Sequence, residues 1–435
     1  MDVTEQRRAT HAGLRPGARR EPGGGTIWYM GAKTRLFGAL ERAIGPLLER
    51  ASARPPVFAD LFTGTGAVAA RFADRARVLA NDAQHYSAVL ARAVLVPAPG
   101  AAEGIERVIA RGREAARALV ERSGGKALLA EEARFLSAEA PDLEAYRRFV
   151  AQDIAREDPE REAAALRAAG VPALIWTYHR HVYFGARQAA AIDGLRAAIE
   201  GATEPERTAY LAALLFAASR ATSATAHFAQ PRPMKNDSEV KTMIRRRRID
   251  IEALFRARVE WLAREGGRRF AGRNEVFSLP WEAFFARAAG PIDVVYADPP
   301  YTRDQYSRFY HVLESIVDYD YPPLARNARG KVLMGRYPAI ERRFQSRFAS
   351  PAAVEDEFRG VTRAAAACGA ALVWSYSTTN GLLFERWKGA LGPFEALLRE
   401  SYAHVRIEEH PLFHSGQGDR NHAANEIVAV CTGPR

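Results

Sequence analysis

Asp298, Pro299, Pro300 and Tyr301 follow an apolar run, Ile292 to Ala297, and their types and order point most directly to chemistry. The β-branched and aromatic residues of that run predict a short buried strand. Two successive prolines end it, because each lacks a backbone N–H and holds φ near about −65°. A carboxylate, the Pro299 carbonyl and an aromatic ring then stand at the carboxyl edge of a sheet, where open α/β sheets bind ligands. The exocyclic amino group of a nucleobase is a poor nucleophile, since its lone pair is delocalised into the ring. Two acceptors on its two N–H bonds, the Asp298 carboxylate and the Pro299 carbonyl, draw the nitrogen toward tetrahedral geometry. Tyr301 offers a face on which a base taken out of the helix can stack. The same four residues would also suit a plain strand end whose aspartate caps the next turn, so the rest of the chain has to decide.

Three other stretches must position these groups. Ile27 to Lys33 runs into a helix-like pattern at Leu36, Phe37, Leu40, Ile44 and Leu47, which places Lys33 in the first turn. A lysine there opposes the helix dipole and is expected either to reach a carboxylate, on a ligand or a neighbouring strand, or to stay solvated. Pro56 to Ala69, which contains Asp60, Phe62, Gly64 and Gly66, reads as strand, glycine turn and helix; Arg77 to Ala80 reads as a second strand ending at Asn81 and Asp82. Glycines at that turn let a ligand approach the backbone, and an acid after the second strand suits a ribose diol. The full G-x-G-x-x-G spacing is not met, since Ala69 takes the third position, and no basic residue waits for a pyrophosphate. A nucleoside cofactor without phosphates fits better, and S-adenosylmethionine is one.

From about 100 to 290 the pattern is helical, with an Ala-, Arg- and Glu-rich stretch over 101–170. Trp176 to Phe184 gathers aromatic residues and two histidines, and amphipathic spacing continues at Ala189 to Ile199 and Leu211 to Leu215. His179 and His181 lack the cysteines or carboxylates that would complete a metal site, and no metal is expected. Lys235 and the run Arg245, Arg246, Arg247 and Arg248 suit phosphate contact or, equally, a solvated helix face. Glu275 to Phe277 returns the chain to the sheet, Ala370 to Ser377 reads as a buried strand, and Ala403–Ile407 and Asn425–Val430 form a closing hairpin. The expected domains are a tail over 1–25, a catalytic domain over 26–100 and 270–435, and a helical insertion over 101–269.

Lys and Arg exceed Asp and Glu by 62 to 51, a net charge of +11, which favours an anionic partner such as nucleic acid. Two cysteines, Cys368 and Cys431, give neither a disulfide framework nor zinc spacing, and fit a reducing cytoplasmic setting. No apolar run suggests a membrane span or a signal peptide.

In order and type, Tyr29-Met30-Gly31-Ala32-Lys33, Asp60 to Gly66, Asn81-Asp82, a helical insertion and Asp298 to Tyr301 resemble the Dam-like, alpha-group DNA adenine-N6 methyltransferases. Tyr183-Phe184, the Thr225 to Phe228 turn and Ser375-Tyr376-Ser377 are similar too, and the resemblance covers about 27 to 430. It implies an α/β fold, a Rossmann-like S-adenosylmethionine-dependent methyltransferase sheet with an inserted, mainly helical target-recognition domain. It also implies that Tyr29, Lys33, Asp60, Phe62, Gly64, Gly66, Asp82 and Asp298 form the cofactor site. Asp298, Pro299, Pro300 and Tyr301 would then hold a flipped adenine of double-stranded DNA at a specific sequence. A restriction or phage-defence assembly is the expected setting. Methylation of RNA adenine or of cytosine N4, and a catalytically silent DNA-binding subunit, are the competing expectations. The 101–170 stretch is larger than the family core requires.

Overall fold

The computed structural model describes residues 27, 33–50, 54–156, 158–224, 227–265, 270–288, 290–415 and 421–435. The expected tail over 1–25, Tyr29, Thr225 and residues 416–420 lie outside them. Seven strands form one sheet: β1 (Val57–Asp60), β2 (Arg77–Asn81), β3 (Glu275–Phe277), β4 (Val294–Ala297), β5 (Ala371–Ser377), β6 (Tyr402–Ser415) and β7 (Asn421–Pro434). Their order is β3-β2-β1-β4-β5-β7-β6. The first five run parallel to their neighbours, whereas β7 is antiparallel to both β5 and β6. The chain walks one way from β1 through β2 to β3, then crosses back to lay β4 on the other side of β1. That reversal makes the edge beyond β1 and β4 the natural ligand crevice.

Both faces of the sheet are covered, which is why its strands read as unbroken apolar runs. Alternate side chains serve two cores. Ala59, Val295, Leu372 and Trp374 pack against the helices Val354–Ala367, Leu382–Arg386 and Gly392–Arg399. Phe58, Val78, Val294 and Tyr296 pack on the other face against Phe37–Glu49 and Ala67–Phe72.

The stretch after β2 is helical, as its spacing predicts. Residues 101–170 fold into Ala101–Arg122, Lys126–Ser137, Leu143–Arg156 and Pro159–Ala168. Ala101–Arg122 and Pro159–Ala168, with Ala186–Ile199, Glu206–Ala221 and Ile251–Glu265, build a third core, which also takes in Tyr86, Val89 and Leu90 of the helix His85–Leu95 and Val312, Leu313 and Ile316 of His311–Asp318; Lys126–Ser137 and Leu143–Arg156 pack with Asp237–Arg247 in a smaller one. The helical layer is thus continuous with two helices that flank the crevice. No helix among the described residues is long and apolar enough to cross a membrane.

Candidate active site

β1 ends at Asp60, and the chain turns through Leu61–Thr65 before the helix Ala67–Phe72. Gly64 and Gly66 take φ of 52° and 76°, a region that glycine enters without steric cost. Gly66 has a second reason to be glycine: a Cβ there would lie 2.8 Å from the Cα of Ala91. The turn is tied to β2 by Thr63 N–H donating to the Asn81 carbonyl at 2.8 Å. Asn81 Nδ2 donates in turn to the Leu61 and Leu279 carbonyls, at 3.2 and 3.0 Å. The exits of β1, β2 and β3 are thereby held as one unit.

Two carboxylates close this end. Asp82 accepts the Gly64 and Gln84 N–H groups, each at 3.0 Å; burial nonetheless pushes its carboxyl up to about 6. Asp60 is buried beside Thr63, whose hydroxyl donates to it at 3.2 Å. Burial, helped by the charge of Asp298, pushes the Asp60 carboxyl up to about 8. Its Oδ1 has no hydrogen-bond partner among the described residues. An unsatisfied buried carboxylate oxygen is costly, and a cationic ligand would relieve it.

β4 delivers the second half. Lys33 opens a short 3₁₀ turn before the helix Phe37–Glu49, and its ammonium lies 3.0 Å from Asp298 Oδ1 and 3.3 Å from Glu426 Oε2. Of the two expectations for this lysine, the reach to a neighbouring strand's carboxylates is the one realised; the group is buried. Burial alone would lower its pKa, but Asp298 and Glu426 overcome that and raise it. Asp298 is pushed up to about 6, first by burial and then by Glu426, against the pull of Lys33 and a hydrogen bond from Ser375. Tyr301 stands beside the pair, with the ammonium 5.5 Å from its ring centroid. Its ring meets Tyr376 edge-on at 6.2 Å, and its carbonyl accepts the Leu382 N–H at 2.9 Å. The carbonyl of Pro299 precedes a residue with no N–H.

One open cleft joins both ends. Its void, counting solvent at the mouth, is about 1290 Å³, and its walls include Lys33, Asp60, Phe62, Gly64, Asp82, and Asp298 to Tyr301. The structure therefore brings together the described cofactor and catalytic residues expected from the sequence, with two qualifications. Gly66 shapes the turn from behind the cleft wall, and Tyr29 lies outside the described residues.

Several cleft residues were missed by sequence reasoning. Glu426, buried behind the cleft and paired with Lys33, is marked in the sequence only as a lone acid heading the apolar run Ile427 to Val430. Trp281 lines the cleft and donates from Nε1 to Glu357 at 2.8 Å. The far wall is Phe344 to Phe348, held by a reciprocal pair in which Gln305 Nε2 donates to the Ser346 carbonyl at 3.1 Å and Ser346 N–H donates to Gln305 Oε1 at 2.8 Å. Nothing local in the sequence marks that wall.

The arginine run divides. Lys235 and Arg245 are exposed and Arg246 is half-buried, its Nη1 donating to the Arg220 carbonyl at 3.2 Å. Arg247 is neither a phosphate contact nor a solvated residue, and its inclusion among the DNA-binding residues is corrected. It shares the buried helix face of Val240, Met243 and Ile244, and donates to Tyr146 Oη and the His181 carbonyl, both at 2.8 Å. Arg248 is turned back onto the carbonyls of Leu136 and Ala138, at 2.7 and 2.8 Å. His181 is buried between Asp153 at 2.8 Å and Glu132 at 3.1 Å, and burial lowers the pKa of His179. A further His–acid cluster lies near the cleft: His85 Nδ1 is 2.6 Å from Asp318, while Glu314 accepts the His85 and Tyr86 N–H groups at 2.9 Å. Its hydrogen bond to Asp318 pushes the His85 imidazole up to about 9, which makes that contact an ion pair, while the Glu314 carboxylate caps the first N–H groups of the helix His85–Leu95.

The chain has relatives among known proteins. It is similar to a modification methylase, LlaI of Lactococcus lactis subsp. lactis, at 24% identity over 301 residues, which is 68% of this chain and 39% of that protein. It thus spans about two fifths of the length of this curated relative. Residues 29–329 match the model of the D12 class N6 adenine-specific DNA methyltransferases. This match takes in the glycine turn, both acidic strand ends, the helical layer and the Asp298 to Tyr301 turn, and the chain belongs to that family.

Proposed function

We propose that the chain transfers a methyl group from S-adenosylmethionine to N6 of an adenine flipped out of double-stranded DNA, at a specific sequence and in the manner of the Dam-like, alpha-group enzymes. The observation that carries this reading is the Asp298 carboxylate on its Pro-Pro turn, ion-paired with buried Lys33 and opening into the same cleft as the glycine turn. The residues present suit the cofactor. Asp60 offers an unpartnered carboxylate oxygen to its ammonium or sulfonium charge, and Asp82, oriented by two backbone N–H groups, suits a ribose diol. Phe62 and Trp281 supply apolar wall. When bound, S-adenosylmethionine supplies a methyl group on a positively charged sulfur that departs as a neutral thioether.

The chain's own residues do the rest. Asp298 and the Pro299 carbonyl accept the two N6–H bonds and localise the nitrogen lone pair, while Tyr301 stacks on the base. Pro300 stiffens the turn so that both acceptors keep their spacing. Lys33 holds the carboxylate in place and favours its ionised form, ready to take an N6 proton as the new C–N bond forms. Residues 101–269 form the target-recognition domain, and 26–100 with 270–435 the catalytic domain. Lys235, Arg245 and Arg246 remain as phosphate contacts, and a restriction or defence-system partner is part of the proposal, in keeping with the name of the similar methylase.

The test is transfer of labelled methyl to unmethylated genomic DNA and to total RNA in parallel, with subsequent digestion to nucleosides. Label in N6-methyladenine from DNA supports the reading. Label only in RNA, only in cytosine, or in neither overturns it.

A further inference from the structure

Among the described residues, the large apolar side chains left exposed are Met334 (61%), Ile340 (62%) and Phe344 (42%), all on one strap between the helix His311–Asp318 and the cleft wall. Single exposed apolar groups are ordinary, but three on one anchored segment ask for a partner. The strap is pinned on both sides. Its first part folds on itself through antiparallel bridges between Leu324 and Pro338 and between Arg326 and Val332. The Gly335 carbonyl accepts from Tyr183 Oη at 3.0 Å and contacts His311 Nε2 at 3.1 Å, and Tyr337 Oη donates to the Ala229 carbonyl. Beyond Phe344, Ser346 is clamped to Gln305, and the Phe348 ring meets Phe62 at 5.2 Å. Phe344 is thus held out from a rigid support, at the lip of the catalytic cleft and of the smaller hollow beside it.

Charged side chains of both signs surround it: Arg342 and Arg343 line the smaller hollow together with Glu314, Asp318 and Asp320. Arg343 is half-buried, with Nε on the Pro338 carbonyl at 3.0 Å; burial, and then the nearby guanidinium of Arg308, disfavour its charge. Arg308 itself sits over the Tyr337 ring at 5.1 Å. Two neighbouring guanidinium groups close to Phe344 suit the phosphates of one strand. Enzymes that extrude a base must unstack it, and DNA-bending proteins meet a similar cost by inserting an apolar side chain into the stack.

We propose that Phe344 is a wedge that enters duplex DNA beside the adenine presented to Asp298, with Arg308 and Arg343 contacting the flanking phosphates. This rests on the DNA adenine reading above and assigns the step before chemistry to residues outside the Asp298 turn. Phe344 is a positioning residue: it opens the stack and does not touch the reacting atoms.

The test uses the full chain. The methylated sequence is first located in genomic DNA treated with the wild-type protein; two oligonucleotide duplexes carrying it are then compared, one fully paired and one with an abasic site opposite the target adenine. Phe344→Ala should lose about tenfold or more in kcat/KM on the paired duplex, ~1.4 kcal/mol of barrier, and regain most of that on the abasic duplex. Phe344→Leu, which keeps an apolar wedge, should stay near wild type on both, and S-adenosylmethionine binding by equilibrium dialysis should be unchanged throughout. An equal loss on both duplexes, or no loss on either, overturns the wedge while leaving the methyltransferase reading intact. Absence of N6-methyladenine with the wild-type protein removes both.

Discussion

Replacing Lys33 with methionine tests the electrostatics of the site most directly. The substitution keeps the length and apolar stem of the side chain and removes only the charge that faces Asp298 and Glu426. At 3.0 Å and an effective dielectric of about 20, Coulomb's law gives about 5.5 kcal/mol between the ammonium and the Asp298 carboxylate. At 1.36 kcal/mol per unit, that corresponds to a ceiling of about 4 pKa units. Relaxation and entering water reduce it, and opposite charges at this range typically shift a carboxyl by about 1–3 units. Asp298 is already pushed up to about 6 with Lys33 present. Without the lysine its midpoint should rise to between about 7 and 9.

On the proposed mechanism ionised Asp298 is the competent form, so activity should rise with pH through this midpoint. The wild type should be mostly active at pH 7, and the variant with a midpoint near 8 roughly tenfold less so, recovering as pH is raised. The assay is kcat/KM for methyl transfer across the pH range, on protein shown to be folded at each pH, since stranding two buried carboxylates can cost about 3–5 kcal/mol. Adding Glu426→Gln to the variant removes the second negative charge and should bring the midpoint part of the way back. An acidic limb that stays near its wild-type position in Lys33→Met, or a double variant that moves further up, would refute the proposed role of this trio.

The geometry sets three more outcomes. Gly66→Ala must place a Cβ 2.8 Å from Ala91 at a φ of 76°, and should lower stability by about 2–4 kcal/mol in chemical denaturation. Arg245→Ala should reduce the salt dependence of DNA affinity by about 0.9 in log–log slope if it holds one phosphate; Arg247→Ala should instead lower the unfolding midpoint, because it removes donors to Tyr146 and His181. The Asp60 carboxyl is pushed up to about 8, so it is largely protonated at pH 7 and must lose its proton to meet a cationic ligand. S-adenosylmethionine affinity should therefore strengthen from pH 6 to 8 with proton release, seen by calorimetry in buffers of different ionisation enthalpy, and Asp60→Asn should abolish that dependence.

The strands, the glycine turn and the Asp298 turn were legible because each is written locally: unbroken apolar runs for a sheet covered on both faces, glycines where φ is positive, and prolines where pairing must stop. The closing hairpin was legible too, and its register, Val405 against Cys431, agrees with its alternation. What local pattern does not carry is which distant residues meet. Lys33 was recognised as a candidate to reach a carboxylate, but its second partner, Glu426, is close only because β7 lies beside β5. The Gln305–Ser346 clamp likewise depends on how the strap returns over the cleft. Arg247 was misread because composition describes a run of arginines and the helical period decides which of them turns inward. His181, flanked by Asp153 and Glu132, shows the same point: its partners are on helices 28 and 49 positions away.

The reversed direction of β7 has a consequence for assembly. A parallel strand in its place would bring its last residues, not its first, to the carboxyl edge, and Glu426 would face the opposite rim. β7 also slots between β5 and β6, so the edge strand cannot join the sheet until its successor has been inserted. Lys33 therefore finds its second carboxylate only after the last strand of the chain has paired with β5. A chain that stalls before that step has the Asp298 turn but lacks the complete charge balance around it. On the proposed mechanism, the charge balance around Asp298 is complete only once the last strand is in place.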